Sequence, residues 1–377
     1  MNRVLMIAGE ASGDLHGAGV VRELKRRDPS LDVFGIGGDC MRSEGMDLCV
    51  HIARLSFMGF VEVLKNLPTV RAVERDLENL LETRRPDVAV LIDYPGFNLR
   101  FARTAKRHGI PVLYYISPQV WAWNRGRVKK MKRLVDRMKV VFPFEVEIYR
   151  EEGIDVEFVG HPLVERLGSS VSREDFYGRL GLDPRRKLLG LFPGSRMQEI
   201  EKILPILGEA AEIVGRSHDL QVVVGVASNL GRAAVERFFP RTVTGVQFAE
   251  NATYDLMRHA DCAIVTSGTA TLETGWFGTP MAVVYRTSPV TFFIGRMLVD
   301  VPYIGLVNIV AGHKVVQEFV QHEMTVENLV RELGRLLDDP DYIGRMRKDL
   351  SVIRERLGGA GASARVAEGI LALGGKS

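Results

Sequence analysis

The sequence predicts an α/β protein built from two Rossmann-like domains that face each other across a cleft. Short runs of apolar, often β-branched residues recur along the chain, and a turn and a helix follow most of them. Fully apolar strands that alternate with helices are typical of parallel sheets covered on both faces. A segment rich in glycine, serine and proline divides this series in two, and 377 residues suffice for two domains.

The first series of elements defines an N-terminal domain over residues 1–166. The predicted strands are Arg3–Ala8, Val88–Asp93, Pro111–Ile116, Lys139–Phe142 and Val156–Val159. The predicted helices are Leu15–Arg27, Val70–Arg84 and Asn98–His108. Apolar residues recur at helical spacing in the second helix, which indicates that one of its faces is packed.

The second series begins after a predicted boundary at residues 162–186 and defines a C-terminal domain over residues 167–344. Its predicted strands are Leu188–Phe192, Gln221–Val226, Thr244–Phe248, Cys262–Thr266 and Met281–Tyr285. Its predicted helices are Glu199–Gly215, Arg232–Phe238 and Thr269–Phe277. The tail is also predicted to be helical, and its residues 345–377 either cross back to the N-terminal domain or exchange between the subunits of a homodimer.

Composition excludes several classes of protein. A net charge of +3, with 46% hydrophobic and 26% charged residues, is ordinary for a globular protein and too weak for nucleic-acid binding. The three cysteines cannot form a disulfide framework, and they lack zinc-binding spacing, which favours a reduced, cytosolic setting. We find no signal peptide and no apolar stretch long enough to span a membrane.

One segment concentrates positive charge. Residues 125–139 hold eight basic side chains against a single acid, Asp136, and their apolar residues recur at helical spacing. The pattern predicts an amphipathic helix with a strongly basic face. That face is either simply solvated or a surface for anionic phosphates, on a ligand or on a lipid bilayer.

Two segments of the N-terminal domain place titratable groups at strand ends, where open parallel sheets bind ligands. Glu10, Asp14 and His16 follow the first strand in a glycine-rich turn, which is alternatively a structural turn capped by Ser12 or Asp14. Asp93 ends a fully apolar strand, and partial burial there raises the pKa of a carboxyl and suits a general base. The alternative for Asp93 is a turn or helix-capping residue.

Two segments of the C-terminal domain suit phosphate. Pro193-Gly194-Ser195-Arg196 precedes a helix, and its alternative is a plain helix cap by Ser195 with Gln198 in a capping box. The run from Thr266 to Glu273 crowds hydroxyls and backbone N–H groups at another helix start, and Glu273 suits a ribose diol unless it is a surface residue. No metal-binding motif follows a strand, and we predict no metal.

Together these segments resemble the lipid-A-disaccharide synthase family. The matching segments occur in the family's order between residue 8 and about residue 312, and the most specific is Ser117-Pro118-Gln119-Val120-Trp121-Ala122-Trp123. The others are Ala8–Asp14, Ile92–Asn98, Phe142–Glu145, Gly160–Pro162, Pro193–Arg196, Ser267–Glu273 and Asn308–Gly312. The sequence departs mildly from the family's usual pattern at two places. Val307 precedes Asn308 where the family often has proline, and Tyr94-Pro95-Gly96 follows Asp93 where the family more usually has a polar triplet.

The resemblance implies a GT-B fold and an inverting glycosyl transfer in lipid A biosynthesis. The donor would be UDP-2,3-diacylglucosamine and the acceptor 2,3-diacylglucosamine 1-phosphate, called lipid X. The products would be a β-1,6-linked disaccharide 1-phosphate and UDP. The resemblance implies no metal or organic cofactor, no nucleic-acid partner, and peripheral association with the cytoplasmic face of the inner membrane.

The resemblance also implies roles for the candidate residues. The base is Asp93 as first choice, then Glu10, then His16. UDP would be bound through residues of the C-terminal domain, namely Ser195, Arg196, Ser267, Gly268, Thr269, Ala270, Thr271, Glu273, Asn308 and Gln317.

An apolar segment and the basic helix are the expected lipid-facing features. The apolar residues are Phe57, Met58, Phe60, Val61, Val63, Leu64 and Leu67, with core packing as the alternative. The basic residues are Arg127, Lys129, Lys130, Lys132 and Arg133. Rival functions are another UDP-sugar GT-B transferase, a UDP-GlcNAc 2-epimerase, which needs no lipid surface, and a non-catalytic two-lobed binding protein.

Overall fold

The computed structural model describes residues 1–54, 67–121, 126–167, 171–240, 242–288, 292–293 and 301–375. The chain divides into two units. The first comprises Met1–Glu165 together with Leu357–Ser377, and the second comprises Arg166–Arg356. In the described part of the chain, no helix combines the length and the apolar character needed to cross a membrane.

The first unit is built on a seven-stranded parallel sheet with strand order 3-2-1-4-5-6-7. Its strands are β1 (Arg3–Ala8), β2 (Asp32–Gly37), β3 (Asp47–His51), β4 (Val88–Ile92), β5 (Val112–Tyr115), β6 (Arg137–Val140) and β7 (Val156–Phe158). Its helices are α1 (Ala11–Arg27), α2 (Asp39–Ser43), α3 (Leu67–Thr83), α4 (Pro95–Arg107), α5 (Gly126–Met131), α6 (Glu145–Glu151) and α15 (Ala362–Gly374). Every residue of β4 and β5 is buried, so the central strands supply the core.

The second unit is built on a six-stranded parallel sheet with strand order 10-9-8-11-12-13. Its strands are β8 (Lys187–Phe192), β9 (Leu220–Val226), β10 (Gln247–Glu250), β11 (Cys262–Thr266), β12 (Met281–Tyr285) and β13 (Glu318–Val320). Its helices are α7 (Arg173–Leu180), α8 (Met197–Ser217), α9 (Arg232–Glu236), α10 (Thr253–His259), α11 (Thr269–Phe277), α12 (Leu306–Ala311), α13 (Val326–Asp338) and α14 (Pro340–Leu357). Two Rossmann-like units are therefore confirmed.

The last helix, α15, packs within the first unit against α1. Arg27 of α1 pairs with Glu368 at 2.7 Å. The backbone N–H and the hydroxyl of Ser363 both donate to the carboxylate of Glu165, at 2.8 and 2.6 Å. In this chain the C-terminal helix is thus held by charged and hydrogen-bonded contacts as well as by its apolar face.

The predicted basic helix over residues 125–139 is wrong. Helix α5 ends at Met131, a turn follows, and residues 137–140 form β6 between β5 and β7. Lys139 is buried and pairs with Glu157 of β7, while Arg137 pairs with Asp155 at 3.0 Å. Residues 137–140 pair with both β5 and β7, and this strand pairing overrides the helical spacing of Met131, Leu134 and Met138. Among the described residues of this segment, the exposed cations that remain are Lys129, Lys130, Lys132 and Arg133.

Candidate active site

Asp93 follows β4 in a strained backbone conformation. Asp93 and Tyr94 have φ angles of 45° and 48°, in the left-handed region that residues with a Cβ rarely adopt. The carbonyl oxygen of Asp93 accepts hydrogen bonds from the Asn98 side-chain amide at 2.7 Å and from the Tyr114 hydroxyl at 2.6 Å. These bonds from α4 and β5 fix the turn that follows β4, at the carboxyl edge of the sheet.

The environment of Asp93 favours a proton acceptor that works near neutral pH. Burial, reinforced by the negative charge of Glu10, raises the pKa of the Asp93 carboxyl to about 6. A carboxyl with this pKa is mostly ionised at pH 7, yet it binds a proton more readily than an ordinary aspartate. The structure therefore places Asp93 and Glu10 in one electrostatic environment and gives Asp93 the properties of a general base.

Glu10 lies at the start of α1 beside Tyr94. Glu10 is exposed and precedes the first helical residue, but its side chain does not cap the helix. The ring of Tyr94 packs over Gly9, where an added Cβ would lie only 2.1 Å from the Tyr94 Cδ1 atom. Glycine at position 9 thus lets the turns after β1 and β4 approach each other, which brings Glu10 towards Asp93.

Asp14 has a structural role that the turn pattern did not predict. Its buried carboxylate accepts hydrogen bonds from the backbone N–H groups of Gly38, Cys40 and Met41, at 2.7 to 3.1 Å. Asp14 therefore caps α2 rather than its own helix.

His16 lies near a second histidine. Its ring makes an edge contact with His161, with ring centroids 6.2 Å apart. Burial and the neighbouring His16 lower the pKa of His161 to about 3, and the His161 Nδ1 atom accepts a hydrogen bond from the Leu163 N–H. His161 is therefore neutral at physiological pH. A role for His16 as base stays a prediction.

Glu145 is a buried carboxyl for which sequence reasoning proposed no role. It accepts hydrogen bonds from the Ser117 hydroxyl at 2.5 Å and from the Phe142 N–H at 3.1 Å. Burial raises the pKa of Glu145 to about 7 despite these bonds. Glu145 thus ties the Ser-Pro-x-Val-Trp segment after β5 to the segment after β6. Both segments match motifs of the family that the sequence resembles, and that match was the sequence signal that could have indicated a role for Glu145.

The predicted phosphate loop lies between β8 and α8. The residue that precedes α8 is Arg196, whose side chain does not cap the helix, so the alternative of a capping box formed by Ser195 and Gln198 is wrong. Arg196 instead pairs with Glu199 at 3.0 Å and keeps an exposed side chain. The carbonyl of Ser195 accepts a hydrogen bond from the Asn229 amide at 3.0 Å. A cation at an uncapped helix start suits an anionic ligand.

The second predicted phosphate segment lies between β11 and α11. Gly268 has a φ of 147°, which only glycine adopts readily, and it precedes the first helical residue, Thr269. The hydroxyls of Ser267 and Thr271 donate to the carbonyls of Ile304 and Gly268, at 2.9 and 2.8 Å. These side chains shape the loop, so a phosphate would bind chiefly to the N–H groups at the start of α11, around Thr269 and Ala270.

Glu273 on α11 is a partly buried, partnered carboxylate rather than a surface residue. It accepts a hydrogen bond from the Tyr254 hydroxyl at 3.1 Å, and the guanidinium of Arg166 lies 5.6 Å from the centre of the Tyr254 ring. Burial raises the pKa of Glu273, while Tyr254 and Arg166 act in the opposite direction. Such a carboxylate keeps the capacity to accept further hydrogen bonds from hydroxyls.

Asn308 is fully buried, and its amide is occupied within the protein. Its Nδ2 donates to Val316 and Glu318, and its Oδ1 accepts from the N–H groups of Val315 and Val316. Glu318, which sequence reasoning missed, also accepts from the N–H groups of Ile304 and Gly305, both at 2.9 Å. This geometry favours a positioning role for Asn308. Gln317 is partly buried, and its contact with substrate stays a prediction.

The predicted acyl-chain segment lies outside the described residues. Its members are Phe57, Met58, Phe60, Val61, Val63, Leu64 and the side chain of Leu67. Among the predicted basic residues, Arg127 is partly buried on α5. In the described ranges, no group of three or more His, Cys, Asp or Glu side chains has the arrangement of a metal site.

A carboxyl with a raised pKa on one parallel-sheet unit and uncapped helix starts on the other suit a two-domain enzyme that acts on nucleotide sugars. A UDP-GlcNAc 2-epimerase from Neisseria meningitidis, solved with UDP-GlcNAc, shares the fold with a TM-score of 0.67 and 15% identity, covering 98% of this chain and 100% of that one. The calicheamicin glycosyltransferase shares it with a TM-score of 0.64 and 16% identity, covering 100% and 99%. The two Rossmann-like domains of the predicted GT-B fold are confirmed.

Sequence comparison identifies the family. The family model described as lipid-A-disaccharide synthetase matches residues 4–363. The lipid-A-disaccharide synthase of Geobacter sulfurreducens is 45% identical over 376 residues, covering 100% of this chain and 98% of that protein. The enzyme of the same name from Myxococcus xanthus is 42% identical over 373 residues, covering 98% and 97%. The chain therefore belongs to the lipid-A-disaccharide synthase family of glycosyltransferases.

Proposed function

We propose that this chain transfers 2,3-diacylglucosamine from UDP-2,3-diacylglucosamine to the 6-hydroxyl of lipid X. The observation that carries the proposal is the Asp93 carboxyl, with a pKa of about 6, in a chain 45% identical to a lipid-A-disaccharide synthase. Its products are a β-1,6-linked tetraacyl disaccharide 1-phosphate and UDP.

Asp93 acts as the general base in this reaction. An inverting transfer needs one group that removes the proton of the attacking hydroxyl while the C–O bond to UDP breaks on the opposite face. Asp93 accepts that proton. Because its pKa is about 6, its carboxyl is mostly ionised at pH 7 before the reaction, yet it binds the proton more tightly than an ordinary aspartate does. Glu10 keeps the pKa of Asp93 raised and is the second choice for the base.

The second unit binds UDP and stabilises the charge that develops as it leaves. Arg196 and the N–H groups at the starts of α8 and α11 face the diphosphate, where fixed positive dipoles stabilise a leaving anion. Glu273 accepts hydrogen bonds from the ribose hydroxyls, and Tyr254 orients it. No metal ion has a role in this proposal.

We also propose peripheral attachment to the cytoplasmic face of the inner membrane, because both substrates carry acyl chains. Lys129, Lys130, Lys132 and Arg133 are exposed cations that suit anionic lipids, at about 1 kcal/mol each near the surface. A homodimer stays a prediction.

The proposed reaction is tested by incubating the protein with both substrates and following UDP release and the disaccharide by mass spectrometry. We expect both products only when lipid X is present. Conversion of UDP-GlcNAc to its 2-epimer, with no disaccharide formed, would instead identify an epimerase.

A further inference from the structure

A groove lined by arginines runs between α3 and α4 of the first unit. The cavity has a volume of about 930 Å³, within the usual range of small-molecule sites. We call it the arginine groove after the five side chains that line it, Arg71, Arg75, Arg100, Arg103 and Arg107. None of these residues has a role in the fold or the reaction described so far.

The arginine groove carries excess positive charge. Two carboxylates also line it: Glu74 pairs with Arg100 at 3.1 Å, and Glu78 pairs with Arg107 at 3.4 Å. The other three arginines are exposed and have neither an ion pair nor a hydrogen bond with any residue that the structure describes. Three guanidinium groups are therefore available to an anion.

One end of the groove reaches the first turn of α3, where Pro68 lines it. The pairs Glu74–Arg100 and Glu78–Arg107 show that α3 and α4 run in the same direction. Their first turns therefore lie together at the carboxyl edge of the sheet, where Asp93 precedes α4. Arg100 lies five residues after Pro95, about 7.5 Å along the helix, and its charge lowers the pKa of the Tyr94 hydroxyl against the effect of burial.

Substrate chemistry supplies the anion, and this step rests on the proposed function. Donor and acceptor carry the same diacylglucosamine and differ at the anomeric oxygen, where the acceptor bears a phosphate monoester. Such a monoester carries a charge of about −1.5 to −2 at pH 7, and the planar guanidinium fork matches its oxygens. We propose that the arginine groove binds the phosphate monoester of the acceptor and so distinguishes acceptor from donor.

The concave shape favours this ligand over a bilayer surface. A flat array of headgroups contacts a convex or planar basic face, whereas a single phosphate can enter a groove between two helices. The two glutamates inside the groove also interrupt the uniform positive face that adsorbs to anionic lipid.

The test compares a triple variant, Arg71→Gln/Arg75→Gln/Arg103→Gln, with the wild-type protein in detergent micelles. These arginines lack carboxylate partners, so the substitution leaves no carboxylate unpaired. We expect KM for lipid X to rise roughly tenfold or more, while KM for the donor and kcat change by less than about twofold. Arg150→Gln removes an exposed arginine elsewhere in the unit, and it should change neither KM.

A second acceptor, 2,3-diacylglucosamine without the 1-phosphate, shows whether phosphate is the group recognised. The wild-type protein should use it at least tenfold less well than lipid X, and the triple variant should distinguish the two poorly. Equal losses with both acceptors would overturn the inference. So would unchanged kinetics in micelles with weaker binding to anionic vesicles, since the groove would then be a bilayer contact.

Calorimetric titration with lipid X in micelles separates this inference from the proposed function, because it needs no turnover. Weaker binding by the triple variant, without any transfer by the wild type, would support the groove and contradict the proposed reaction. Equal binding by both proteins would contradict the groove alone.

Discussion

At the scale of single residues, Asp93 combines two unfavourable features that serve one purpose. Its left-handed backbone costs roughly 1–3 kcal/mol, and its burial disfavours the charged carboxylate. Hydrogen bonds from Asn98 and Tyr114 to its carbonyl hold the turn in place. The fold thus maintains a strained, largely buried carboxylate at a cost in stability, as functional sites often do.

Replacing Asp93 by asparagine should abolish most activity without loss of fold. Asparagine tolerates the left-handed region but cannot accept the substrate proton, so we expect kcat to fall by about 10²–10⁴-fold. In the wild-type enzyme, kcat/KM should decline below about pH 6 as Asp93 becomes protonated. The pH–rate profile and the variant's kcat measure both effects, and a wild-type rate for Asp93→Asn would remove Asp93 as the base.

The same variant should be more stable than wild type at pH 8. The folded-state pKa of Asp93 is raised, so its protonated form stabilises the fold at low pH, and this contribution is lost as the pH rises through about 6. Asparagine avoids that loss, a gain of about 1–3 kcal/mol that vanishes near pH 4. Denaturant midpoints at pH 4 and pH 8 provide the measurement, and a variant that is less stable at pH 8 would contradict the burial argument.

At the scale of elements, buried or partly buried carboxylates organise the loops at the carboxyl edges of both sheets. Asp14 accepts backbone N–H groups at the start of α2, and Glu318 does the same just before α12. Glu145 joins the segments that follow β5 and β6. Each carboxylate meets donors that lie far from it in sequence or outside regular elements, which explains why local patterns did not reveal these roles.

Glu145 offers a test of this scaffolding. Glu145→Ala leaves the buried Phe142 N–H and the Ser117 hydroxyl without their acceptor, and it should destabilise the protein by roughly 2–4 kcal/mol. Glu145→Gln can still accept one bond and donate the other, so it should cost much less. Because the pKa of Glu145 is raised to about 7, glutamine should also remove a loss of stability between about pH 4.5 and 7. Equal effects of alanine and glutamine on the unfolding midpoint would argue against the hydrogen-bonding role.

The proposed nucleotide-binding role of the second unit is testable on α8 and α11. Arg196→Ala and Glu273→Gln should each weaken UDP binding by roughly tenfold, because each would remove the charged contact proposed with the diphosphate or the ribose. Arg216→Ala, at the other end of α8, removes a cation paired only with a surface carboxylate and serves as the control. Calorimetric titration with UDP gives the affinities, and unchanged binding in both variants would place the nucleotide elsewhere.

At the scale of the whole molecule, the sequence predicted strands that are almost entirely buried. Strands β1, β11 and β12 match their predicted bounds, and each contains a continuous run of buried residues that is typical of a parallel sheet. Strands β2 and β3 were not predicted, because β2 contains two glycines and β3 is a partly exposed edge strand. The basic segment was misread because tertiary pairing of β6 overrode its helical period.

The geometry of the candidate site was predictable in part for similar reasons. Asp93 could be identified from its position after a fully apolar strand, and the helix starts near Arg196 and Gly268 from their glycines. The hydrogen-bond partners of Glu273 and Glu318 could not be predicted from the sequence. Tyr254 and the N–H groups of Ile304 and Gly305 are distant in sequence from these carboxylates and contact them only in the folded protein.

Metal removal tests how the leaving UDP is stabilised. If helix starts and Arg196 stabilise the diphosphate, EDTA should leave the transfer rate unchanged, as measured by UDP release. A large loss of rate that Mg²⁺ restores would show that a metal ion supplies this charge instead.

The most direct measurement is a single-turnover transfer from UDP-2,3-diacylglucosamine to lipid X, with wild-type and Asp93→Asn proteins side by side at pH 8. The wild-type protein should form the β-1,6-linked disaccharide 1-phosphate and release one UDP per disaccharide, while the variant binds both substrates and forms almost none. Equal disaccharide formation by the two proteins, or UDP release without a disaccharide, would contradict transfer with Asp93 as the base.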